Sequence, residues 1–137
     1  MFMKKAKFIA TALVITSLFN GCSIKSNKSE KVKDLEFTVV EDADLPDELS
    51  TLINEKKQKA FKLTYTTNDY LYISVGYGEQ STGGYSICVN ELYLTENAIY
   101  VDTNLLGPGT EDNKEENSSY PYIVIKLEKM DETVVFK

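Results

Sequence analysis

The side chains best suited to catalysis are sparse in this sequence. Its 137 residues include no histidine and two cysteines, Cys22 and Cys88. Histidine is the commonest general base, the usual partner of a nucleophilic serine or cysteine, and a frequent zinc ligand. Cys88 lies between Ile87 and Val89 without an activating base nearby in sequence, so we expect a small core residue packed in a sheet. The sequence therefore predicts no catalytic residue.

Carboxylates are abundant, but their positions do not indicate an active site. They fall in turns and on polar faces, with no apolar pocket in the pattern to raise the pKa of one member of a pair. The acidic run from Glu111 to Glu116 lacks the ligand spacing and central glycine of an EF-hand loop. Gly83 and Gly84 precede a strand rather than a helix, unlike a nucleotide-binding loop. We expect a protein without enzymatic activity, cofactor or metal.

The charge balance argues against nucleic acid as a partner. The chain has 15 basic and 21 acidic residues, a formal charge of -6, and every basic residue is lysine. A negative surface repels phosphate backbones. The absence of arginine also removes the planar group that binds phosphate or carboxylate through two parallel hydrogen bonds.

The N-terminal residues resemble an export signal. Three lysines in the first seven residues precede an uncharged, mainly apolar run from 8 to 19 that is too short for a typical membrane span. The run closes on LFNGC, in which Gly21 precedes Cys22 as in a bacterial lipobox. We expect residues 1–21 to be a lipoprotein signal peptide, and a lipid on Cys22 to hold the protein on the extracytoplasmic face of the cell membrane. An ordinary cleaved signal and an uncleaved anchor are the alternatives.

Residues 22–33 are rich in serine and lysine and predict a flexible tether. The remaining residues, 34–137, predict one domain. It begins with a strand over 34–40, followed by a helix whose apolar residues share one stripe: Leu45, Leu49, Leu52 and Ile53.

Alternating apolar residues then predict a series of short strands. The first two, over 61–65 and 70–77, form a hairpin, and a change of phase near Asn90-Glu91 in the next run predicts a bulge. Further strands lie near 99–101, 123–127 and 133–137, and the acidic segment 106–119 predicts an exposed excursion. Fold class is therefore mainly β, with a minor α+β character: a small antiparallel β-sandwich or partly open barrel of six or seven strands with one packed N-terminal helix.

Two short segments are more specific than these patterns. Residues 81–87 read STGGYSI and residues 120–124 read YPYIV, and each opens a predicted strand. Together they resemble the C-terminal domain of the PrcB family, over about residues 61–136. The family is named for a protease complex subunit, and the resemblance implies a lipoprotein that associates with a surface protease and supports its maturation or stability. The length of the acidic excursion departs from the family pattern.

The resemblance directs attention to seven candidate partner-binding residues: Thr82, Gly83, Gly84, Tyr85, Tyr120, Pro121 and Tyr122. They either form a binding surface or only shape turns and fill a corner of the core. We expect a cell-envelope protein that binds another envelope or secreted protein, a surface protease being one such partner. Two alternatives are a small-ligand or glycan-binding lipoprotein that uses exposed tyrosines, and a protease inhibitor that uses the Thr82–Tyr85 loop.

Overall fold

The computed structural model describes residues 30–109 and 117–137. The proposed signal peptide, Cys22, most of the tether and residues 110–116 of the acidic excursion lie outside the described residues. One α-helix and eight strands are found in the described part: α1 (Asp47–Lys56), β1 (Lys33–Asp34), β2 (Thr38–Val39), β3 (Ala60–Thr66), β4 (Tyr70–Tyr77), β5 (Ser86–Leu94), β6 (Ala98–Leu106), β7 (Tyr122–Glu128) and β8 (Thr133–Phe136). A 3₁₀ helix spans Asp42–Asp44. None of the described helices is long and apolar enough to cross a membrane.

The strands form two four-stranded sheets. The first has the order β1-β5-β6-β8 and the second the order β2-β7-β4-β3. The mainly β, sandwich-like class predicted from the sequence is confirmed. One pairing differs from the antiparallel prediction, because β8 runs parallel to β6. The chain reaches β8 by crossing from β7 in the second sheet, so no hairpin imposes an antiparallel direction on it.

Helix α1 contains three of the four residues of the predicted apolar stripe, whereas Leu45 lies before its start. Pro46 stands at its N-cap, and the helix presents Leu49 and Ile53 inward, at 0% and 1% exposure. Both pack with Tyr72 and Val124 on the outer face of the second sheet. The prediction of one packed helix is confirmed, and the helix adds a third layer to the two sheets.

Strand β4 is buried on both faces, because α1 covers the outer face of its sheet. Its odd-numbered residues, Leu71 and Ile73, pack between the two sheets with Ile99 and Ile125. Its even-numbered residues point toward α1, and all residues from Leu71 to Gly76 are buried. The alternation of apolar residues predicted β4 as a strand, but it gave no sign that α1 would cover its second face.

Gly76 lies in the middle of the second sheet opposite Phe61 of β3. A Cβ atom on Gly76 would stand 2.2 Å from Cε2 of the Phe61 ring. The ring therefore lies directly across the glycine and covers backbone that has no side chain of its own. Glycine is required here because the aromatic ring occupies the space of its missing side chain.

The prediction of one strand over 34–40 is wrong. The segment is divided between β1, which pairs with β5, and β2, which pairs with β7 in the other sheet. Phe37 and Val39 are 38% and 54% exposed, so their alternation does not mark a buried face. The chain crosses from one sheet to the other here, and a single strand cannot pair with both. Val32, which the sequence assigned to the tether, already donates a hydrogen bond to Leu94.

The bulge predicted in β5 is confirmed by a register shift between Val89 and Glu91. The extra residue reverses the phase of the strand, so that Leu92 faces the core. Cys88, just before the bulge, is free and only half-buried, and its thiol donates to Asn90 Oδ1 at 3.3 Å. The prediction of a core cysteine is therefore wrong, because the residue lies on the partly exposed face of the first sheet.

Candidate functional site

The two family-like segments lie side by side at one end of the sandwich. Gln80 and Ser119 form an isolated antiparallel bridge, with N–H to C=O distances of 2.8 and 3.0 Å. The Ser119 hydroxyl also donates to the Thr82 carbonyl at 2.7 Å. These bonds fasten the Thr82–Tyr85 loop to the chain just before Tyr120. We refer to residues 82–85 and 120–122 together as the TGGY–YPY surface.

Gly84 shapes the first half of this surface. It has a φ of +89°, a left-handed conformation, whereas Gly83 is buried without a positive φ. A Cβ on Gly84 would lie 3.0 Å from Cβ of Pro108, and one on Gly107 would lie 3.5 Å from the Tyr85 ring. The loop is therefore packed against the segment that follows β6. The conformational freedom of glycine is therefore required at Gly84.

Tyr122 belongs partly to the core and partly to the surface. Its ring packs with the cluster beneath α1, and its hydroxyl donates to Asp42 Oδ1 at 2.6 Å. Desolvation, followed by the hydrogen bond and the negative charge of Asp42, raises the pKa of Tyr122 to about 12. The neutral phenol is thereby favoured, and Tyr122 fixes the 3₁₀ helix to the start of β7.

Tyr120 and Pro121 have different roles. Pro121 precedes β7, where its missing N–H interrupts no strand ladder, and its carbonyl accepts a hydrogen bond from Tyr77 at 3.1 Å. Tyr120 is half-buried, and the Lys57 ammonium lies 6.0 Å from its ring centroid. The ring of Tyr120 is thus the part of this segment best placed to contact a partner.

A groove of about 560 Å³ runs beside the segment. Tyr120, Tyr122 and Val124 line one side, and Val39 and the 3₁₀ helix line the other. Glu41 and Asp42 bring carboxylates to its wall. Aromatic rings beside carboxylates are suited to an apolar or positively charged side chain. The groove therefore offers aromatic and acidic contacts to a bound side chain.

The described residues contain no cluster of three or more histidine, cysteine or acidic side chains placed to hold a metal ion. Tyr65 is a second perturbed tyrosine, because its hydroxyl donates to Glu48 at 2.8 Å, which raises its pKa. It lies on β3 beneath the first turn of α1, far along the strand from the candidate surface.

Several residues that build the surface carried no signal in the sequence. Gln80 and Ser119 hold its two halves together, and Asp42 binds Tyr122 from a segment much earlier in the chain. Their contacts are long-range, and no periodicity or short motif marks them. A hydrogen-bonding role for Asp42 becomes visible only when the 3₁₀ helix is placed beside β7.

The family described as PrcB C-terminal matches residues 71–128. Over these residues the chain is similar to the PrcB C-terminal family. The resemblance noted from the sequence is confirmed over the part of the fold from β4 to β7, which carries both halves of the TGGY–YPY surface. In this protein α1, β3 and β8 lie outside the matched residues, so the match is shorter than the expected 61–136. No curated protein and no solved structure matches the chain.

Proposed function

We propose that this protein is a non-enzymatic accessory lipoprotein of the cell envelope. It binds another extracytoplasmic protein through the TGGY–YPY surface, and a surface protease whose stability or maturation it assists is the partner that the family name favours. The observation that carries the proposal is the convergence of the two segments on one end of the sandwich, where Ser119 joins them.

The surface is suited to binding because its backbone is already fixed. The Gln80–Ser119 bridge and the packing of Gly84 on Pro108 hold both segments in one conformation before any partner arrives. Preorganised loops lose less conformational entropy on association than mobile ones. Tyrosine is enriched at interfaces because its ring buries apolar area while its hydroxyl keeps a polar contact.

Two alternative functions receive less support. A protease-inhibitor loop needs an extended, accessible segment, but Gly83 is buried and Tyr85 is half-buried against Gly107. A glycan platform needs an open aromatic face. Tyr93 instead stacks on Tyr100 at 5.4 Å, and both Lys31 and Lys137 lie over its ring. These contacts favour a protein partner over either alternative.

Crosslinking in intact membranes followed by mass spectrometry tests the binding proposal. The variant Tyr120→Ala removes the ring from the candidate surface, and the expected result is a loss of about tenfold in the crosslinked partner. Tyr70→Ala is the matched control, because Tyr70 is 39% exposed and also carries a lysine, Lys126, over its ring. Tyr70 lies at the end of β4 that is far from the TGGY–YPY surface. Equal capture by both variants, or no protein partner at all, would contradict the proposal.

The lipid anchor has an independent test. Cys22→Ser removes the thiol that would receive the lipid, and we expect the protein to move from the membrane fraction to the soluble one. Cys88→Ser is the control, since that thiol belongs to the first sheet. Retention of Cys22→Ser in the membrane would exclude attachment through this residue without bearing on the TGGY–YPY surface.

A further inference from the structure

Strand β3 forms one border of the second sheet. It pairs with β4 from Ala60 to Thr66 without a register shift, and no strand lies on its other side in the described part of the chain. The seven-residue strand contains no proline and no bulge. Open edges of this kind present unpaired backbone groups, and natural proteins commonly protect them or use them for pairing.

The hydrogen-bond pattern shows which backbone groups face outward. The Tyr77 N–H donates to Pro121, so the odd-numbered residues of β4 bond to β7 and the even-numbered ones bond to β3. The partners of those even-numbered residues on β3 are Phe61, Leu63 and Tyr65. The backbone N–H and C=O groups of the other four β3 residues therefore point to the open edge: Ala60, Lys62, Thr64 and Thr66.

We propose that this edge pairs with the same edge of a second copy of the chain. An antiparallel pairing centred on Leu63 joins Lys62 to Thr64 of the second copy and Ala60 to its Thr66. All four outward-facing residues of each copy are then used. A pairing centred on Lys62 would instead place Lys62 directly opposite Lys62 of the second copy. Like charges across a ladder are destabilising. Centring the pairing on Thr64 would place Ala60 opposite Asn68, beyond the end of β3. The Leu63-centred register is therefore the one that uses every outward-facing residue without opposing like charges.

In this two-fold pairing, the side chains on the α1 side of β3 also place apolar residues opposite apolar residues. Phe61, Leu63 and Tyr65 share that face and are half-buried. In the proposed pairing Leu63 meets Leu63, and Phe61 meets Tyr65 of the second copy. These are the closely spaced, non-hydrogen-bonded positions of the new ladder, where side-chain contact is greatest. The apolar strip beneath α1 would continue from one copy to the other.

Charge complementarity supports a second copy as the occupant. Helix α1 runs opposite to β3, since the Glu48 carboxylate bonds Tyr65 near the end of β3 while Lys56 lies just before its start. The α1–β3 unit thus has an acidic end, with Asp47 and Glu48, and a net basic end, with three lysines (Lys56, Lys57 and Lys59) against one acid, Glu55. A two-fold axis through Leu63 brings the acidic end of one copy beside the basic end of the other, which favours association.

The test measures self-association of the full chain, purified in detergent, by sedimentation and light scattering at about 1 to 100 μM. Thr64→Lys places a lysine opposite Lys62 at two symmetric positions and should weaken the dimer by about tenfold. Thr66→Lys is the matched control, because it adds the same charge opposite Ala60 and should change the affinity by less than about threefold. Both threonines are exposed, so neither change disturbs the fold of the single chain.

A charge-swapped pair completes the test. Lys62→Glu combined with Thr64→Lys places opposite charges across the proposed axis, and we expect it to recover the affinity lost in Thr64→Lys alone. Circular dichroism verifies that each variant is folded. A chain that stays monomeric at about 100 μM, equal weakening by the two threonine variants, or failure of the double variant to recover would each overturn the proposal.

Discussion

Replacing Gly76 by alanine tests how tightly the second sheet is packed. The new Cβ would stand 2.2 Å from Cε2 and 2.5 Å from Cδ2 of the Phe61 ring. Carbon atoms cannot approach so closely, so the ring must move away from the strand. The backbone itself accepts alanine, because Gly76 is not among the described glycines with a positive φ.

Two opposing effects set the magnitude. Overpacking of a well-filled site costs about 1–3 kcal/mol. Alanine also restricts the unfolded chain, which stabilises the folded state by about 0.4–1 kcal/mol relative to glycine. The difference between these contributions lies between about 0 and 2.6 kcal/mol, so the central expectation is that the free energy of unfolding falls by about 1.3 kcal/mol.

Urea unfolding followed by far-ultraviolet circular dichroism measures this change, since the chain has no tryptophan to report on it. A double-mutant cycle with Phe61→Leu locates its cause. The smaller leucine side chain relieves the collision. The free energy of unfolding of the double variant should therefore exceed the value expected from adding the two single effects by about 0.5–2 kcal/mol. Additive effects of the two substitutions would refute the proposed collision.

Three further predictions concern individual contacts. Gly84→Ala should lower the free energy of unfolding by about 1–2 kcal/mol because its φ is +89°, whereas Gly107→Ala in the adjoining segment should be nearly neutral in the same urea assay. Ser74→Ala should cost about 1 kcal/mol, since the buried hydroxyl donates to a β7 carbonyl at 3.0 Å. The folded pKa of Tyr122 is raised from 10.0 to about 12, so its stabilising contribution is present below pH 10 and lost as the pH rises toward 12. The parent should therefore lose more stability than Tyr122→Phe between about pH 9 and pH 11.5, and equal losses would contradict this assignment.

The elements that the sequence predicted best are those governed by local pattern. The apolar stripe of α1 depends on residues three and four apart, and the bulge near Glu91 appears as a change of phase within one strand. The β3–β4 hairpin follows from two alternating runs separated by a short turn. In each case the residues that decide the element are close together in the chain, so their order is visible without the fold.

The features that could not be predicted depend on which layers meet. The segment 34–40 alternates like one strand, but its ends belong to different sheets. Cys88 has apolar neighbours, yet its side chain lies on the partly exposed face of the first sheet. The parallel pairing of β8 with β6 likewise follows from a crossover between sheets. Alternation identifies a face, but it does not say what covers that face.

The same division applies to the candidate surface. The sequence by itself determined the two recognisable segments and a charge balance unsuited to nucleic acid, whereas only the structure shows that Gly84 rather than Gly83 has a positive φ. Only the tertiary structure decided that Thr82 and Ser119 lie within hydrogen-bonding distance and that Asp42 meets Tyr122. Residues distant in the chain become neighbours only after loop closure and sheet packing have been achieved, and those steps depend on the whole core rather than on any short motif.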